Sequence, residues 1–193
     1  MLILASASPR RRELLARVGV RFEVRPADID ERELPGEPPR AYVERVASAK
    51  AATLAHADAW VLAADTTVVL DHAIFGKAED GAHAAAMLRQ LRGRTHQVIT
   101  AVVLQRGGEV HRVTVSTEVE LDGFDDATLA DYLASGEWRG KAGAYAVQGI
   151  GAALVRGVRG SITNVVGLPL AEVVALLRAT GAAPVCLAEG VAA

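Results

Sequence analysis

The chain has 193 residues, 51% of them hydrophobic, and a formal net charge of −2. That length supports one domain with a sizeable core, and the charge argues against a general nucleic-acid binder, which is ordinarily basic. No apolar run approaches the ~18 to 20 residues of a spanning helix, and no basic segment leads an apolar one at the N-terminus, so neither a membrane span nor a signal peptide is expected. Cys186 is the single cysteine, so no disulfide closes within the chain, in keeping with a reducing cytoplasm.

Leu2 to Ala5 is apolar and predicts a buried strand. Ser8 is a natural N-cap, Pro9 suits the first helical position, and Leu14, Leu15 and Val18 recur at helical spacing before Gly19. This strand, turn and helix place Arg10, Arg11 and Arg12 at a helix N-terminus, where free N–H groups and the dipole favour an anion. Residues 22–26 alternate and predict a second strand. The acidic, Pro/Gly-rich stretch from Asp28 to Pro39 predicts a loop, with Asp28, Asp30, Glu31 and Glu33 as candidate metal ligands. A helix is expected from about Pro39 to His56, with Tyr42, Val46 and Ala49 on one face and Lys50 at the surface by default.

Trp60 to Leu70 is the strongest strand, near-continuously apolar and therefore central and buried on both faces. Asp65, Thr66 and Thr67 interrupt it. A buried aspartate is costly unless paired, hydrogen-bonded or bound to metal, and no turn signal explains this one, which marks it as functional. Asp71-His72 predicts a turn, Asp80 caps a helix to about Leu91 on Ala84, Met87, Leu88 and Leu91, and Gly93 stops it. Residues 95–105 and 109–121 form two β-rich runs joined at Gly107-Gly108, a hairpin that makes the sheet mixed. Asp125 caps a helix through Leu133. Gly140 to Gly149 is rich in small residues that let backbone approach a ligand. Ala152 to Val158 predicts a strand, 160–170 a turn-rich link, Pro169 the start of a last helix, and 181–193 a small tail.

Several common chemistries are excluded. Gly136 to Lys141 lacks one spacer of a Walker loop, and Ala142 stands where Ser or Thr is required. Gly149-Ile-Gly151 lacks a third glycine. The five histidines show no ligand spacing, and no serine sits in a nucleophile elbow. Lysine is rare, with Lys50, Lys77 and Lys141 the only three among 21 basic residues, which suggests positions needing a compact ammonium.

The stretch Ser6-Ala-Ser-Pro-Arg-Arg-Arg-Glu-Leu-Leu15 resembles the opening signature of the Maf family of nucleoside triphosphate pyrophosphatases. Ala64-Asp-Thr66, Gly76-Lys77, Gly93 to Ala101, Thr117-Glu-Val119, Lys141 to Gly149 and Asn164 to Leu170 are similar to its later motifs, in order, over residues 2 to about 178. All three lysines fall on matching positions. The resemblance implies a single α/β domain over 1–193, with a mixed twisted sheet, flanking helices and a deep central cleft like that of inosine triphosphatase. It further implies a cytoplasmic homodimer that hydrolyses a small-molecule nucleotide between the α and β phosphates with Mg²⁺ or Mn²⁺, with no membrane and no nucleic-acid polymer as partner.

The same resemblance makes Asp65 the proton acceptor and a metal ligand, with Glu31 and Glu118 as further acids. Ser6, Ser8, Arg10, Arg11, Lys50, Lys77 and Lys141 become phosphate-binding residues. Arg10, Thr66 and Gln148 match the branch that acts on dTTP and UTP, and the Gln148 amide can donate to and accept from a pyrimidine edge. Ala78, Trp138-Arg-Gly140 and Ala146 depart from the usual pattern. A non-enzymatic nucleotide-binding regulator of septum formation and a broad inosine-triphosphatase-like hydrolase are the alternatives.

Overall fold

In the computed structural model, which describes residues 1–55 and 58–186, the long apolar run becomes strand β3 (Trp60–Leu70). It is central. β1 (Leu2–Leu4) pairs with it in parallel on one edge, and β5 (Thr95–Arg106) lies antiparallel on the other. β2 (Glu23–Val24) is a two-residue outer edge, shorter than the alternation predicted, while β6 (Glu109–Leu121) and β7 (Val155–Arg159) extend the opposite side. The order β2-β1-β3-β5-β6-β7, with β4 (Ala73–Phe75) also on β3, is a seven-stranded mixed sheet. Arg106 pairs with Glu109, so Gly107-Gly108 forms the expected two-residue hairpin.

The period-2 pleat divides the core. Leu2, Leu4, Leu62 and Leu104 face α1 (Pro9–Arg17) and α6 (Leu170–Thr180). Ile3, Val61, Ala63 and Val103 face α2 (Pro39–Thr53). At the far end Val68, Phe75 and Val98 pack on α3 (Gly81–Leu91) and α4 (Asp126–Ser135). Ser8, Asp80 and Asp125 cap α1, α3 and α4 as read from sequence, and the α3 stripe is buried as expected. Side-chain caps of this kind satisfy orphan N–H groups and stabilise by about 1 kcal/mol each.

Four expectations are corrected. The buried stripe of α2 is Val43, Val46, Ala47, Lys50 and Ala51 rather than Tyr42, Val46 and Ala49, so Lys50 lies on the core side. The helix ends at Thr53, and the expected end at His56 lies outside the described residues. Residues 149–154 form a 3₁₀ turn, which delays β7 to Val155. The link after Gly160 contains a short helix, α5 (Ile162–Val166), capped by Ser161. The tail is packed at its start: Ala182 and Ala183 join the core and the Cys186 N–H donates to the Val18 carbonyl, while 187–193 lie outside the described residues. Among the described residues no helix is long and apolar enough to cross a membrane.

Candidate active site

The site begins with a gap in the sheet. β1 pairs with β3 only as far as Leu62, and β4 rejoins that edge only at Val68. Between them residues 63–67 have no strand neighbour on that side among the described residues. A cavity of about 460 Å³ opens there, within the range of ligand pockets. Every site residue implied by the family resemblance lines it except Glu118, and of the four loop acids only Glu31 does, Asp28, Asp30 and Glu33 lying outside it. Glu118 lies on β6, half-exposed, and its carboxylate pairs with Arg159 at 2.6 Å. It is therefore removed from the candidate acids.

The pleat sends consecutive residues of β3 to opposite faces. Asp65 points toward α2, where its Oδ1 accepts from Lys50 Nζ at 2.7 Å. The same ammonium reaches Glu31 Oε1 at 2.9 Å. Asp65 and Lys50 are buried, at 6% and 7% exposure, so this is a desolvated ion pair rather than a solvated surface contact. Its second acid comes from the 28–37 loop, which is strapped to α2: the Tyr42 hydroxyl donates to the Glu31 carbonyl at 3.0 Å, and Arg45 makes two 2.6 Å bonds to Glu37. Partial burial works against the Glu31 charge, yet Lys50, Lys77 and Arg11 hold its carboxyl below the usual value. Burial, then the charges of Asp65 and Glu31, push the Tyr42 phenol up to about 12, so it remains a donor.

Thr66 points the other way, into a polar chain. Arg11 is buried and donates through Nε to the Gly167 carbonyl at 2.8 Å, and through its two terminal nitrogens to Ser6 Oγ at 3.2 Å and Thr66 Oγ1 at 2.9 Å. Thr66 in turn meets the Thr100 hydroxyl at 2.9 Å, and Thr100 donates to the Asn164 carbonyl at 3.2 Å. The open helix N-terminus expected at α1 is largely closed. Pro9 has no N–H, the Arg11 N–H is capped by Ser8 Oγ, and the Arg12 N–H bonds the Ser8 carbonyl. Arg12 itself is exposed.

Arg10, Lys77 and Lys141 also line the cavity, the Lys141 ammonium donating to the Arg139 carbonyl at 3.3 Å. Arg10 Nε is buried without a hydrogen-bond partner among the described residues, and burial lowers the guanidinium's proton affinity despite Glu13 nearby. Burial and the adjacent Arg10 charge likewise lower that of Lys141. Two cations that disfavour each other across one cavity create a standing demand for an anion. Lys77 and Lys141 are brought together because Lys77 bridges Ala142 backbone to backbone. A left-handed pair, Gly143 (φ +68°) and Ala144 (φ +58°), makes that turn, and the Gly143 N–H donates to the Phe75 and Gly76 carbonyls. A Cβ at Gly143 would stand 3.0 Å from Val68. Gly143→Ala is therefore expected to cost about 1–3 kcal/mol, read as a lower urea midpoint with an unchanged slope. An unchanged midpoint would mean that the turn relaxes freely.

With this geometry in hand the comparisons become decisive. The family profile described as Maf-like protein matches residues 1–180. The chain belongs to the Maf family. This Maf chain is 54% identical over 184 residues to the dTTP/UTP pyrophosphatase of Anaeromyxobacter dehalogenans (strain 2CP-1), covering 93% of this chain and 94% of that protein. It is 52% identical over 183 residues to the protein of the same name from Myxococcus xanthus, covering 94% and 93%. A HAM1 protein structure from Coxiella burnetii aligns over 64% of this chain and 73% of that one, at 17% identity and a TM-score of 0.45, too distant to bear on the site.

Sequence reasoning missed part of this Maf site. Asn164 is fully buried and donates through Nδ2 to the Val98 carbonyl and Thr117 Oγ1, both at 2.9 Å, so it fixes the short helix whose end supplies the Gly167 carbonyl to Arg11. The Ser161 cap and Gly167 stop were visible signals for that helix. Tyr145 lines the cavity and its hydroxyl meets His96 Nε2 at 2.7 Å, a pairing across the fold that no local pattern announces.

Proposed function

We propose that this Maf chain hydrolyses nucleoside triphosphates to the monophosphate and pyrophosphate, with dTTP and UTP as its substrates, as nucleotide-pool housekeeping. The placement of Asp65 carries this conclusion: a buried carboxylate at the unpaired edge of β3, facing a cavity that also holds Arg10, Lys77 and Lys141. The relatives, which are dTTP/UTP pyrophosphatases, support the substrate class.

The proposed step is in-line attack of water on the α-phosphorus. The water oxygen forms the new P–O bond, the bond to the α–β bridging oxygen breaks, pyrophosphate leaves with that oxygen, and Asp65 takes the water proton. Such a reaction asks the protein for positioning and charge neutralisation rather than covalent work. Lys77 and Lys141 neutralise the phosphates from one side and Arg10 from the other. Ser6, Ser8 and Arg11 shape that wall, Arg11 through the bonds that fix Thr66 and the Gly167 carbonyl. Arg10, Thr66 and Gln148 select the base, the Gln148 amide having both the donor and the acceptor a pyrimidine edge requires.

Among the described residues no three His, Cys, Asp or Glu side chains group around one point. A hexacoordinate Mg²⁺ or Mn²⁺ nevertheless fits, because Mg²⁺ commonly takes one or two carboxylates and completes its shell with water and substrate phosphates. Asp65 and Glu31, which converge on one ammonium, are the residues that would hold it. When bound, it would neutralise phosphate charge. A cytoplasmic homodimer belongs to the same proposal.

The test is pyrophosphate release from dTTP, UTP, CTP, 7-methyl-GTP, ITP and GTP, with and without Mg²⁺ or Mn²⁺. The expected profile is led by dTTP and UTP and requires the metal. A purine-led profile would remove Arg10, Thr66 and Gln148 as base readers, and silence across the panel would overturn the hydrolase.

A further inference from the structure

Lys50 occupies an unusual position for a phosphate-binding lysine. It leaves α2 on the buried stripe of the helix, at the place where Val43, Val46 and Ala47 enter the core. Its side chain is 9% exposed, and its ammonium lies 2.7 Å from Asp65 and 2.9 Å from Glu31. These are the two carboxylates that would take the divalent cation. A cation is thus already supplied to them, delivered by a rigid helix face rather than by a long, solvated arm.

We propose that the Lys50 ammonium is a built-in stand-in for the divalent cation, so that the free protein takes up metal poorly and the triphosphate loads it. This rests on the assignment of Asp65 and Glu31 as the metal-binding pair. The physical basis is competition. A divalent ion brought to these carboxylates meets the ammonium at close range, and because Asp65 and Lys50 are buried the repulsion is poorly screened and drives the ammonium away. An ammonium is a point charge with three donors on a rotatable stem, and it can turn from carboxylate to phosphate without losing a partner. An incoming triphosphate offers that partner. Lys50 then exchanges Asp65 and Glu31 for phosphate oxygens, and the vacated carboxylates receive the cation that arrives with the nucleotide. Substrate and metal binding are thereby coupled, each favouring the other. The arrangement also keeps a hydrolytic centre unarmed until a triphosphate is present.

The measurement is Mn²⁺ binding to nucleotide-free protein, followed by electron paramagnetic resonance of free Mn²⁺. Native protein should bind weakly. Lys50→Met should bind at least about tenfold more tightly, because the competing charge is gone. Lys50→Arg, which keeps the charge, should stay weak. The gain in Lys50→Met should vanish when Asp65→Asn is added. Lys50→Gln, whose amide still donates to a carboxylate, serves if Lys50→Met does not fold. Unchanged or weaker Mn²⁺ binding in the neutral variants would overturn the proposal, as would a gain that survives Asp65→Asn. Native pyrophosphate release from dTTP distinguishes the two readings. Turnover without the Mn²⁺ gain sinks only the stand-in, and absence of turnover sinks the hydrolase.

Discussion

Asp65→Asn is expected to lower pyrophosphate release at saturating dTTP by about 10³-fold, within the 10² to 10⁴ that a positioned general base contributes. The substitution is isosteric, and its amide oxygen can still accept from Lys50, which also keeps Glu31 at 2.9 Å. The fold should therefore survive, with a stability change of no more than about 2 kcal/mol, below the 3–5 kcal/mol of a buried pair broken outright. The loss should fall on kcat, since the amide cannot take the water proton even when substrate saturates the site. Raising Mn²⁺ separates two roles. A rate restored by excess metal would make Asp65 chiefly a ligand, and a rate that stays low would make it the base. Turnover above about a tenth of native would remove it from the base role altogether.

Much of this was legible in the chain because the signals are local. Asp65 stands out as a charge within an eleven-residue apolar strand, and burial on both faces is what makes that charge expensive. Ser8, Asp80 and Asp125 announce helix starts by chemistry that acts over three residues. The failures share a different cause. Lys50 was assigned to the surface by residue type, although Val43, Val46, Ala47 and Lys50 repeat at helical spacing and place it inside. Arg11 lines the cavity as expected, but the bonds that hold it there reach Gly167 and Thr66, 156 and 55 positions away, which no local pattern announces. Glu118 was chosen beside a matching motif, and the partner that removes it, Arg159, comes from the next strand. Long-range pairing decided each of these, and it is the part of a fold that sequence pattern expresses least.

Acid should weaken the protein through His96. The residue lies on β5 with 2% exposure, and among the described residues its ring bonds the Tyr145 hydroxyl. Nδ1 is buried with no hydrogen-bond partner. A second proton on the ring would thus create a buried charge with no partner at Nδ1 among the described residues. Burial accordingly lowers the imidazole from 6.5 to about 4. In the unfolded chain the ring titrates near 6.5, so between these values the unfolded state binds more protons and stability rises with pH. The contribution is complete above the unfolded value and is lost as pH falls through about 4, amounting to about 3 kcal/mol in all. Urea midpoints at pH 7.5 and 4.5 measure it against His96→Gln, which titrates nowhere in that range. Native protein should lose about 2–3 kcal/mol more than the variant, because other titrating carboxylates are common to both and cancel. Tyr145 ties this pair to the site, since it lines the cavity while its hydroxyl meets His96 Nε2. Equal losses in the two proteins would place acid sensitivity elsewhere and leave the His96–Tyr145 pair as packing alone.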